Sequence, residues 1–376
     1  MVKISNGIYL DNNATTKVDE EVLSAMTPFF AEHYGNSSSS HAGGQIASRA
    51  LFESRNLILK TLSANAHKII FTSGGTESNN LAIFGIAKNQ KTKGSHIITS
   101  SIEHSSVLEC MKVLSKDGFE ISYIDPREDG LIYSEDVMSV LRDDTILVSI
   151  MNVNNETGAI IPVDKIATAL KAKNLECIFH SDGVQAIGKI KPNLSKIDLY
   201  SISGHKFHAP KGVGALIIRE GTNIKNINFG GGQEGGLRSG TENVPGIVGL
   251  AKAFELSYKD FDKKISHYDE LKKALLDEVS SIKNFTINSP KESTSQTINI
   301  SFVGVPGEAL LTALSENGIY VGTGSACTDK KRGRSHVLTA MKISGERINS
   351  SIRFSFSKYN TIEEIKIAGE ILQKTI

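Results

Sequence analysis

Short apolar runs alternate with longer amphipathic segments through the middle of the chain. Runs such as 68–72, 96–99 and 145–150 are apolar enough to form buried strands, and segments with the apolar spacing of helices follow them. This alternation is typical of a mostly parallel sheet with helices on both faces. We therefore expect an α/β fold for residues 68–218.

The apolar pattern changes after this region. A long helical pattern begins near Pro245 and continues, after a bend, to Val279, and strand-like alternation then returns. Because a chain of 376 residues suits a large domain plus a smaller one, we place a boundary along this helix. We expect a large domain, with a mostly parallel sheet flanked by helices, at residues 15–257. A smaller α+β domain is expected from residues 1–14 and 258–376.

Polar or small residues follow several of the predicted strands at the point where each strand ends. They are Gly75-Thr76, His104, Asn155, Asp182 and Lys206. The carboxyl ends of parallel strands meet at one edge of a sheet, where open α/β folds bind ligands. Taken singly, each position has a plainer explanation as a turn, a helix cap or a buried side chain. Because one shared site explains all of them, we expect these residues to form a single site.

Lys206 is the position around which this site is predicted to form. It lies between two strand-like segments and follows Ser203 and His205 closely. A lysine amine can form a Schiff base with an aldehyde cofactor, of which pyridoxal phosphate (PLP) is the common one. Ser203 and His205 can then hydrogen-bond the phosphate. For an isolated motif, a turn with a solvated lysine would be the better explanation.

Other positions at the same edge suit the same cofactor. Backbone N–H groups at Gly74-Gly75-Thr76 can bind a phosphate at a helix N-terminus, although a plain strand–helix turn explains them equally well. Asp182 can keep a pyridinium nitrogen protonated, with a helix N-cap as its alternative. His104 can stack on a flat ring and move protons near neutral pH, with a capping or merely buried histidine as its alternative.

Composition limits the other classes of function. Hydrophobic residues make up 39% and charged residues 22%, so the chain can bury a core and stay soluble. The net charge of +1 gives no case for direct binding to nucleic acid or to an anionic membrane. No apolar run is long enough to span a bilayer, and the N-terminus lacks the apolar core of a signal peptide. We therefore expect a cytoplasmic protein.

The three cysteines have different surroundings in the sequence. Cys110 and Cys177 lie within apolar segments and are expected to be inert core residues. Small residues precede Cys327 and four cations follow it within seven positions, a setting that exposes a thiol and favours its thiolate. We expect Cys327 to be reactive, on a mobile loop that can carry sulfur between sites. No cysteine and histidine cluster has zinc spacing, so no structural metal is expected.

Arg353 lies in the last predicted strand. Its planar guanidinium can bind a substrate carboxylate with two parallel hydrogen bonds. An ordinary surface arginine on a strand is the alternative.

These motifs, taken in order, are similar to those of a known family. The chain resembles the NifS/IscS-like cysteine desulfurases of the class V aminotransferase group along nearly its whole length. The matching segments are Tyr9-Leu10-Asp11-Asn12-Asn13-Ala14-Thr15-Thr16, Thr72-Ser73-Gly74-Gly75-Thr76-Glu77-Ser78-Asn79-Asn80, Glu103-His104, Asn154-Asn155-Glu156, Ser203-Gly204-His205-Lys206, the glycine-rich run through Thr241-Glu242-Asn243, Gly324-Ser325-Ala326-Cys327, and Arg353.

The resemblance implies a fold-type-I PLP enzyme that acts as a homodimer. It implies that Lys206 forms the Schiff base, that Asp182 pairs with the pyridine nitrogen and that Gln185 pairs with the ring hydroxyl. His104 would stack on the ring and shuttle protons. The remaining roles it implies are phosphate binding by Gly75, Thr76, Ser203, His205 and, across the dimer, Thr241, and carboxylate binding by Asn155 and Arg353.

The implied reaction converts L-cysteine to L-alanine and leaves the sulfur on Cys327 as a persulfide. An acceptor protein would then take that sulfur for iron–sulfur cluster assembly, tRNA thiolation or thio-cofactor synthesis. A selenocysteine lyase or a class V aminotransferase is the alternative enzyme, and the aminotransferase would not need Cys327. A PLP-binding scaffold without turnover would be expected to lose Lys206, Asp182 or Arg353, and the chain keeps all three.

The chain departs from the family pattern at several loops. Ser37 and Lys17 replace prolines, Ser357 replaces a glycine, and the segment after Cys327 is unusually basic. These changes bear on loop rigidity more than on chemistry. Family members that serve an iron–sulfur scaffold carry a longer C-terminal tail than the one ending at Ile376. We therefore expect a tRNA- or thiamine-thiolation protein as the sulfur acceptor.

Overall fold

The computed structural model describes residues 7–173, 176–323 and 334–376. The strands are β1 (Ile8–Tyr9), β2 (His67–Thr72), β3 (His96–Ser100), β4 (Glu120–Ile124), β5 (Thr145–Ser149), β6 (Ile178–Asp182), β7 (Leu199–Ser203), β8 (Gly214–Arg219), β9 (Phe285–Ile287), β10 (Thr297–Phe302), β11 (Ile319–Tyr320) and β12 (Ser351–Ser355). The helices are α1 (Glu20–Met26), α2 (Pro28–Ala31), α3 (Ala42–Thr61), α4 (Gly75–Gln90), α5 (Ser105–Lys116), α6 (Ser134–Ser139), α7 (Val163–Ala172), α8 (Val244–Tyr258), α9 (Phe261–Val279), α10 (Gly307–Glu316), α11 (His336–Ala340), α12 (Gly345–Asn349) and α13 (Ile362–Thr375).

A seven-stranded sheet forms the centre of the larger part of the molecule. Its strand order is β2-β8-β7-β6-β5-β3-β4. Strand β8 runs antiparallel to both of its neighbours, and the other neighbouring strands are parallel. All five residues of β5 and of β7 are buried, as expected for strands covered on both faces. The predicted α/β fold with a mostly parallel sheet is confirmed.

Helices cover both faces of this sheet because successive side chains of a strand point to opposite sides. Ile69 and Phe71 of β2 contribute to the core that includes helices α1, α3, α7 and α8. Ile70, between them, contributes to the core that includes α4 and α5 on the other face. Residues 81–87 of helix α4 form an uninterrupted apolar run, and residues such as Ile83 and Ile86 are fully buried, which explains the weak amphipathic pattern of the helix.

A second group of elements forms its own core. Strands β12, β10 and β9 make an antiparallel three-stranded sheet that packs with α9, α10 and α13. The N-terminal strand β1 pairs in parallel with β11, so the first described residues join this core and not the large sheet. Helices α8 and α9 are separated by a bend, where Asp260 adopts a left-handed conformation with φ of 52°. The exact domain boundaries stay a prediction.

The connections that follow the parallel strands lead to one edge of the large sheet. Helix α4 begins three residues after β2, and α5 begins just after Glu103 and His104 at the end of β3. Strand β7 continues to Ser203 and passes into a 3₁₀ turn, Gly204–Lys206. Among the helices in the described parts of the chain, none combines the length and apolar character needed to cross a bilayer.

Candidate active site

One cavity of about 280 Å³ lies at the carboxyl edge of the large sheet. Its volume is close to the lower end of the ~300–1,000 Å³ typical of small-molecule sites. Ten residues that the sequence nominates line it: Gly75, Thr76, His104, Asn155, Asp182, Gln185, Ser203, His205, Lys206 and Arg353. The structure therefore brings these residues together, while the role of each stays a prediction.

The Lys206 amine is held against the N-terminal segment. Its Nζ donates to the carbonyl oxygens of Asn13 and Ala14, each at 2.8 Å. Thr16 N–H donates to the carbonyl of His205 at 2.9 Å, so the segment runs along the turn that carries the lysine. Because Lys206 also lines the cavity, this amine is placed where a small ligand would bind. The alternative of a solvated turn lysine does not fit this geometry.

Asn13 joins several parts of the cavity wall, and the sequence reasoning did not single it out. Its carbonyl oxygen accepts from Gln185 Nε2 at 2.9 Å as well as from Lys206 Nζ, and its Oδ1 accepts from Lys189 Nζ at 2.6 Å. Its Nδ2 donates to the carbonyl of Asn155 at 3.1 Å. The available signal was the polar Asp-Asn-Asn turn placed directly after an apolar strand.

Asp182 is buried and its carboxylate has a fixed orientation. One oxygen accepts from Val184 N–H at 2.9 Å, and the other accepts from Asn79 Nδ2 at 2.8 Å. A turn, and not a helix, follows Asp182, so the capping alternative does not hold. Two neutral donors leave the carboxylate with further acceptor capacity toward the cavity that it lines.

His104 caps helix α5 and lines the cavity at the same time. Ser106 N–H donates to His104 Nδ1 at 3.1 Å, and Ser106 Oγ lies 2.9 Å from the same nitrogen. Because Nδ1 accepts, the proton of the neutral ring is on Nε2. Burial lowers the pKa of His104, Asp182 opposes this effect and Lys206 adds to it. The ring is therefore neutral at pH 7, and the capping alternative is correct alongside the predicted site position.

The glycine turn leaves little room for side chains. A Cβ at Gly75 would lie 2.6 Å from Val184 Cγ2, and Gly74 has φ of 152°, which favours glycine. Helix α4 starts at Gly75, so its first N–H groups lack intrahelical partners and form the positive end of the helix dipole. His205, whose Nδ1 lies 3.2 Å from Thr15 Oγ1, is beside this turn in the cavity wall. Burial, with Lys206 and Lys211, lowers the pKa of His205 to about 4.

Arg353 is buried in β12, which rules out the surface alternative. Its Nη1 donates to the carbonyl of Asn155 at 3.0 Å, and its Nη2 donates to Asp11 Oδ1 at 2.6 Å. Its Nε has no hydrogen-bond partner among the described residues. The side chain therefore presents an anchored guanidinium at the cavity, which suits a carboxylate ligand.

Glu156 and Ser335 connect the cavity to the end of the segment that carries Cys327. Burial raises the pKa of Glu156 to about 7, with opposing contributions from Ser335, whose Oγ donates to it, and from Arg353. Ser335 also caps helix α11, accepting from Leu338 N–H at 3.0 Å. Cys327 itself lies outside the described residues. In the sequence Glu156 stands out only as part of the Asn154-Asn155-Glu156 motif, and no local pattern indicates its contact with Ser335.

The other cysteines are core residues, as predicted. Cys110 and Cys177 are both buried, and burial raises the pKa of each thiol to about 12. Neither can supply a thiolate near neutral pH.

Thr241 is described but does not line the cavity. It is exposed at the end of the glycine-rich segment 230–243. Arg238 of this segment pairs with Glu77 of α4 at 2.9 Å, and Glu242 accepts from Ser37 Oγ at 2.7 Å. The segment is thus fixed beside the glycine turn, with Thr241 directed to the surface.

The residues of this cavity fit PLP. A buried carboxylate, a neutral imidazole, a lysine amine and a helix N-terminus with no room for a Cβ lie around one space. These are the groups needed for a pyridinium nitrogen, a flat ring, an aldehyde and a phosphate.

Comparison with known proteins gives consistent results. A family model described as aminotransferase class-V matches residues 8–367. The cysteine desulfurase IscS of Dictyoglomus turgidum is 44% identical over 373 residues, which cover 98% of this chain and 94% of that protein. A putative cysteine desulfurase IscS 1 of Bacillus subtilis is 44% identical and covers 96% and 97%. A solved structure of a NifS-like protein superposes with a TM-score of 0.92 at 40% identity, covering 98% of this chain and 99% of that one.

Proposed function

The chain belongs to the class V aminotransferase family, and we propose that within this family it is a PLP-dependent cysteine desulfurase. It converts L-cysteine to L-alanine and passes the sulfur through Cys327 to an acceptor protein. The observation that carries the proposal is the single cavity in which Lys206, Asp182 and Arg353 meet. Relatives that cover nearly the whole chain and bear the name cysteine desulfurase support the same assignment.

The cofactor site is formed by groups from several sheet connections. When bound, PLP links to an amine through its aldehyde and withdraws electrons from the substrate Cα. Lys206 supplies the amine, Asp182 holds a proton on the ring nitrogen and Gln185 binds the ring hydroxyl. Gly75, Thr76, Ser203 and His205 bind the phosphate. The pairing of Asp182 with Asn79 supports this role, because it fixes the direction of the carboxylate.

The substrate is bound by its carboxylate. Arg353 is held by Asp11 and by the carbonyl of Asn155, so its guanidinium is orientated before substrate arrives. This preorganisation favours a bidentate contact with an amino acid carboxylate. Asn155 completes the same pocket.

Proton transfer is assigned to Lys206 and His104. Ser106 holds Nδ1 of the neutral His104 ring as an acceptor, so the ring presents its Nε2–H as a hydrogen-bond donor that can orientate a group during proton transfer. The Lys206 amine would accept the Cα proton of the bound substrate and return it. Both groups line the cavity, which meets the first geometric requirement for such roles.

The sulfur step is assigned to Cys327. Its thiolate attacks the sulfur of bound cysteine, and the bond between that sulfur and Cβ breaks. The electron pair of this bond goes to the carbon skeleton, which becomes alanine after protonation. The basic residues after Cys327 favour the thiolate. The persulfide then goes to an acceptor for iron–sulfur cluster assembly or for thiolation of tRNA or a cofactor.

The active unit is a homodimer in this proposal. Thr241 is exposed at the end of a segment that Arg238 and Glu77 hold beside the glycine turn. This exposure supports the proposal that Thr241 reaches the phosphate site of a second copy.

The test is the release of sulfide and alanine from L-cysteine in the presence of a reductant. The intact protein, Cys327→Ala and the control Cys110→Ala are compared, each checked for PLP absorption. We expect equal amounts of sulfide and alanine from the intact protein and the control, and a loss of at least a hundredfold in Cys327→Ala. A keto acid product, or full activity of Cys327→Ala on cysteine, would instead indicate an aminotransferase or a selenocysteine lyase.

A further inference from the structure

Lys189 is a buried lysine that none of the assigned roles uses. It lies in the turns between β6 and β7 and is 8% exposed. Its Nζ donates to Asn13 Oδ1 at 2.6 Å and to Gln185 Oε1. Both partners are neutral amide oxygens, and Lys189 forms no ion pair with any residue that the structure describes. Pairing with a carboxylate is therefore not the reason for its position.

Lys189 and the Asn13 carbonyl together hold the Gln185 amide in one orientation. Because Oε1 accepts from Lys189, the amide NH₂ group must lie on the other side. There Nε2 donates to the Asn13 carbonyl at 2.9 Å, and the same carbonyl accepts from Lys206 Nζ at 2.8 Å. With no donor at position 189, Oε1 would lose its partner and the amide would be held only by the hydrogen bond from Nε2 to the Asn13 carbonyl.

Asn13 depends on the same lysine. Its side-chain oxygen accepts from Lys189, while its Nδ2 donates to Thr297 Oγ1 at 2.9 Å and to the Asn155 carbonyl. Because Asn13 is buried, its Oδ1 would lack a donor if Lys189 lost its amine. An unsatisfied buried acceptor favours rearrangement of the side chain that carries it. That movement would also shift the Asn13 carbonyl, which accepts from both Lys206 and Gln185.

The surroundings of position 189 disfavour a charged amine. Burial lowers the pKa of Lys189 well below its usual value, and the charges of Lys206 and Arg353 lower it further. An apolar side chain of similar length would avoid the desolvation of an amine. Groups of this kind, buried beside a cavity and perturbed by its residues, cluster at functional sites.

We infer that Lys189 is a positioning residue of the cofactor pocket. It holds the side-chain amide of Gln185 and, through Asn13, the backbone carbonyl to which the Lys206 amine donates. The inference rests on the proposed function, since it concerns the same pocket. Lys189 acts through Gln185 and Asn13 and does not itself contact the reacting atoms.

The first experiment compares Lys189→Met with Lys191→Met in the full-length chain. Lys191 is a matched control because it lies two residues away, is exposed and pairs only with the exposed Asp262 among described carboxylates. PLP is titrated into each protein after removal of bound cofactor, and the dissociation constant and absorption spectrum are recorded. We expect about tenfold weaker binding and a shifted absorption band for Lys189→Met, with both unchanged for Lys191→Met.

The second experiment asks whether Lys189 acts through Gln185. PLP affinity is measured for Lys189→Met, Gln185→Ala and the double variant. If Lys189 works by orientating Gln185, the double variant binds about as weakly as the weaker single variant. Two independent effects of tenfold would multiply to about a hundredfold and would overturn the part of the inference that assigns Lys189 to the orientation of Gln185.

Folding is checked by circular dichroism, and Lys189→Gln repeats the titration if Lys189→Met does not fold. The glutamine keeps one neutral donor, so we expect its affinity to lie between those of Lys189→Met and the intact protein. Affinity and spectrum equal to those of the intact protein in the folded Lys189 variant would overturn the inference. Failure of the intact protein to bind PLP would instead overturn the proposed function.

Discussion

Replacing Arg353 tests whether substrate binding can be weakened without weakening cofactor binding. Lysine keeps the positive charge but loses the planar fork that contacts Asp11 and the Asn155 carbonyl. We expect Arg353→Lys to raise the KM for L-cysteine by about 10- to 100-fold, with PLP affinity nearly unchanged. Steady-state kinetics and a PLP titration measure the two effects. Arg49→Lys, an exposed position on α3, is the control, and an unchanged KM in Arg353→Lys would remove this arginine from the substrate site.

Glu156 makes stability depend on pH near neutrality. Burial raises its pKa from 4.5 to about 7, so the folded chain holds a proton there that the unfolded chain releases. The contribution is fully present below about pH 4.5, and it is lost as pH rises through 7. We expect Glu156→Gln, which cannot ionise, to reduce the fall in unfolding free energy between pH 5 and 8 by about 1–3 kcal/mol.

Chemical denaturation at several pH values measures this change. Glu270→Gln, at an exposed position of α9, controls for the loss of a carboxylate. Parallel stability curves for the intact protein and Glu156→Gln would show that Glu156 ionises normally in the folded chain.

The start of helix α4 is the element that we propose binds the phosphate. A Cβ at Gly75 would lie 2.6 Å from Val184 Cγ2 and 3.5 Å from Ser203 Cβ, so alanine there must move the turn or its neighbours. We expect Gly75→Ala to weaken PLP binding by at least tenfold while the helix content stays the same. The control is Gly43→Ala in the first turn of α3, where a Cβ meets its nearest neighbour at 3.4 Å. Equal PLP affinity of the two variants would place the phosphate elsewhere.

Periodicity predicts elements better than it predicts their mutual contacts. The strand–helix alternation correctly indicated the large sheet, and the strand ends correctly indicated which residues would share a cavity. This alternation did not reveal the contacts of Asn13, because the partners of Asn13 lie 142 residues away at Asn155 and 284 residues away at Thr297. A local pattern contains no information on such pairs. Lys189 was missed for a related reason, since a lysine is expected at the surface unless its partners are known.

The N-terminal segment connects the large sheet to the second core. Asp11 pairs with Arg353 of β12, and Thr16 bonds to the turn that carries Lys206. Asp19 continues this connection, because its carboxylate accepts from Lys358 Nζ and, at 2.8 Å, from Tyr359 Oη. The same short segment therefore holds Lys206 and Arg353 in one arrangement.

Asp19 permits a test of this connection through the charge alone. Burial opposes ionisation of Asp19, but the hydrogen bonds from Lys358 and Tyr359 outweigh it and lower the pKa to about 2. The stabilisation is therefore present above about pH 4 and is lost as pH falls toward 2. An asparagine at this position would still cap α1, because its side-chain oxygen can accept from Glu21 N–H as the Asp19 carboxylate does. We expect Asp19→Asn to lower the unfolding free energy at pH 7 by about 1–2 kcal/mol, and the difference to shrink between pH 4 and 2. Denaturant titrations at several pH values measure this difference, with Glu20→Gln as the control because the Glu20 side chain is exposed. A difference that persists unchanged at pH 2 would assign the loss of stability to packing and not to charge.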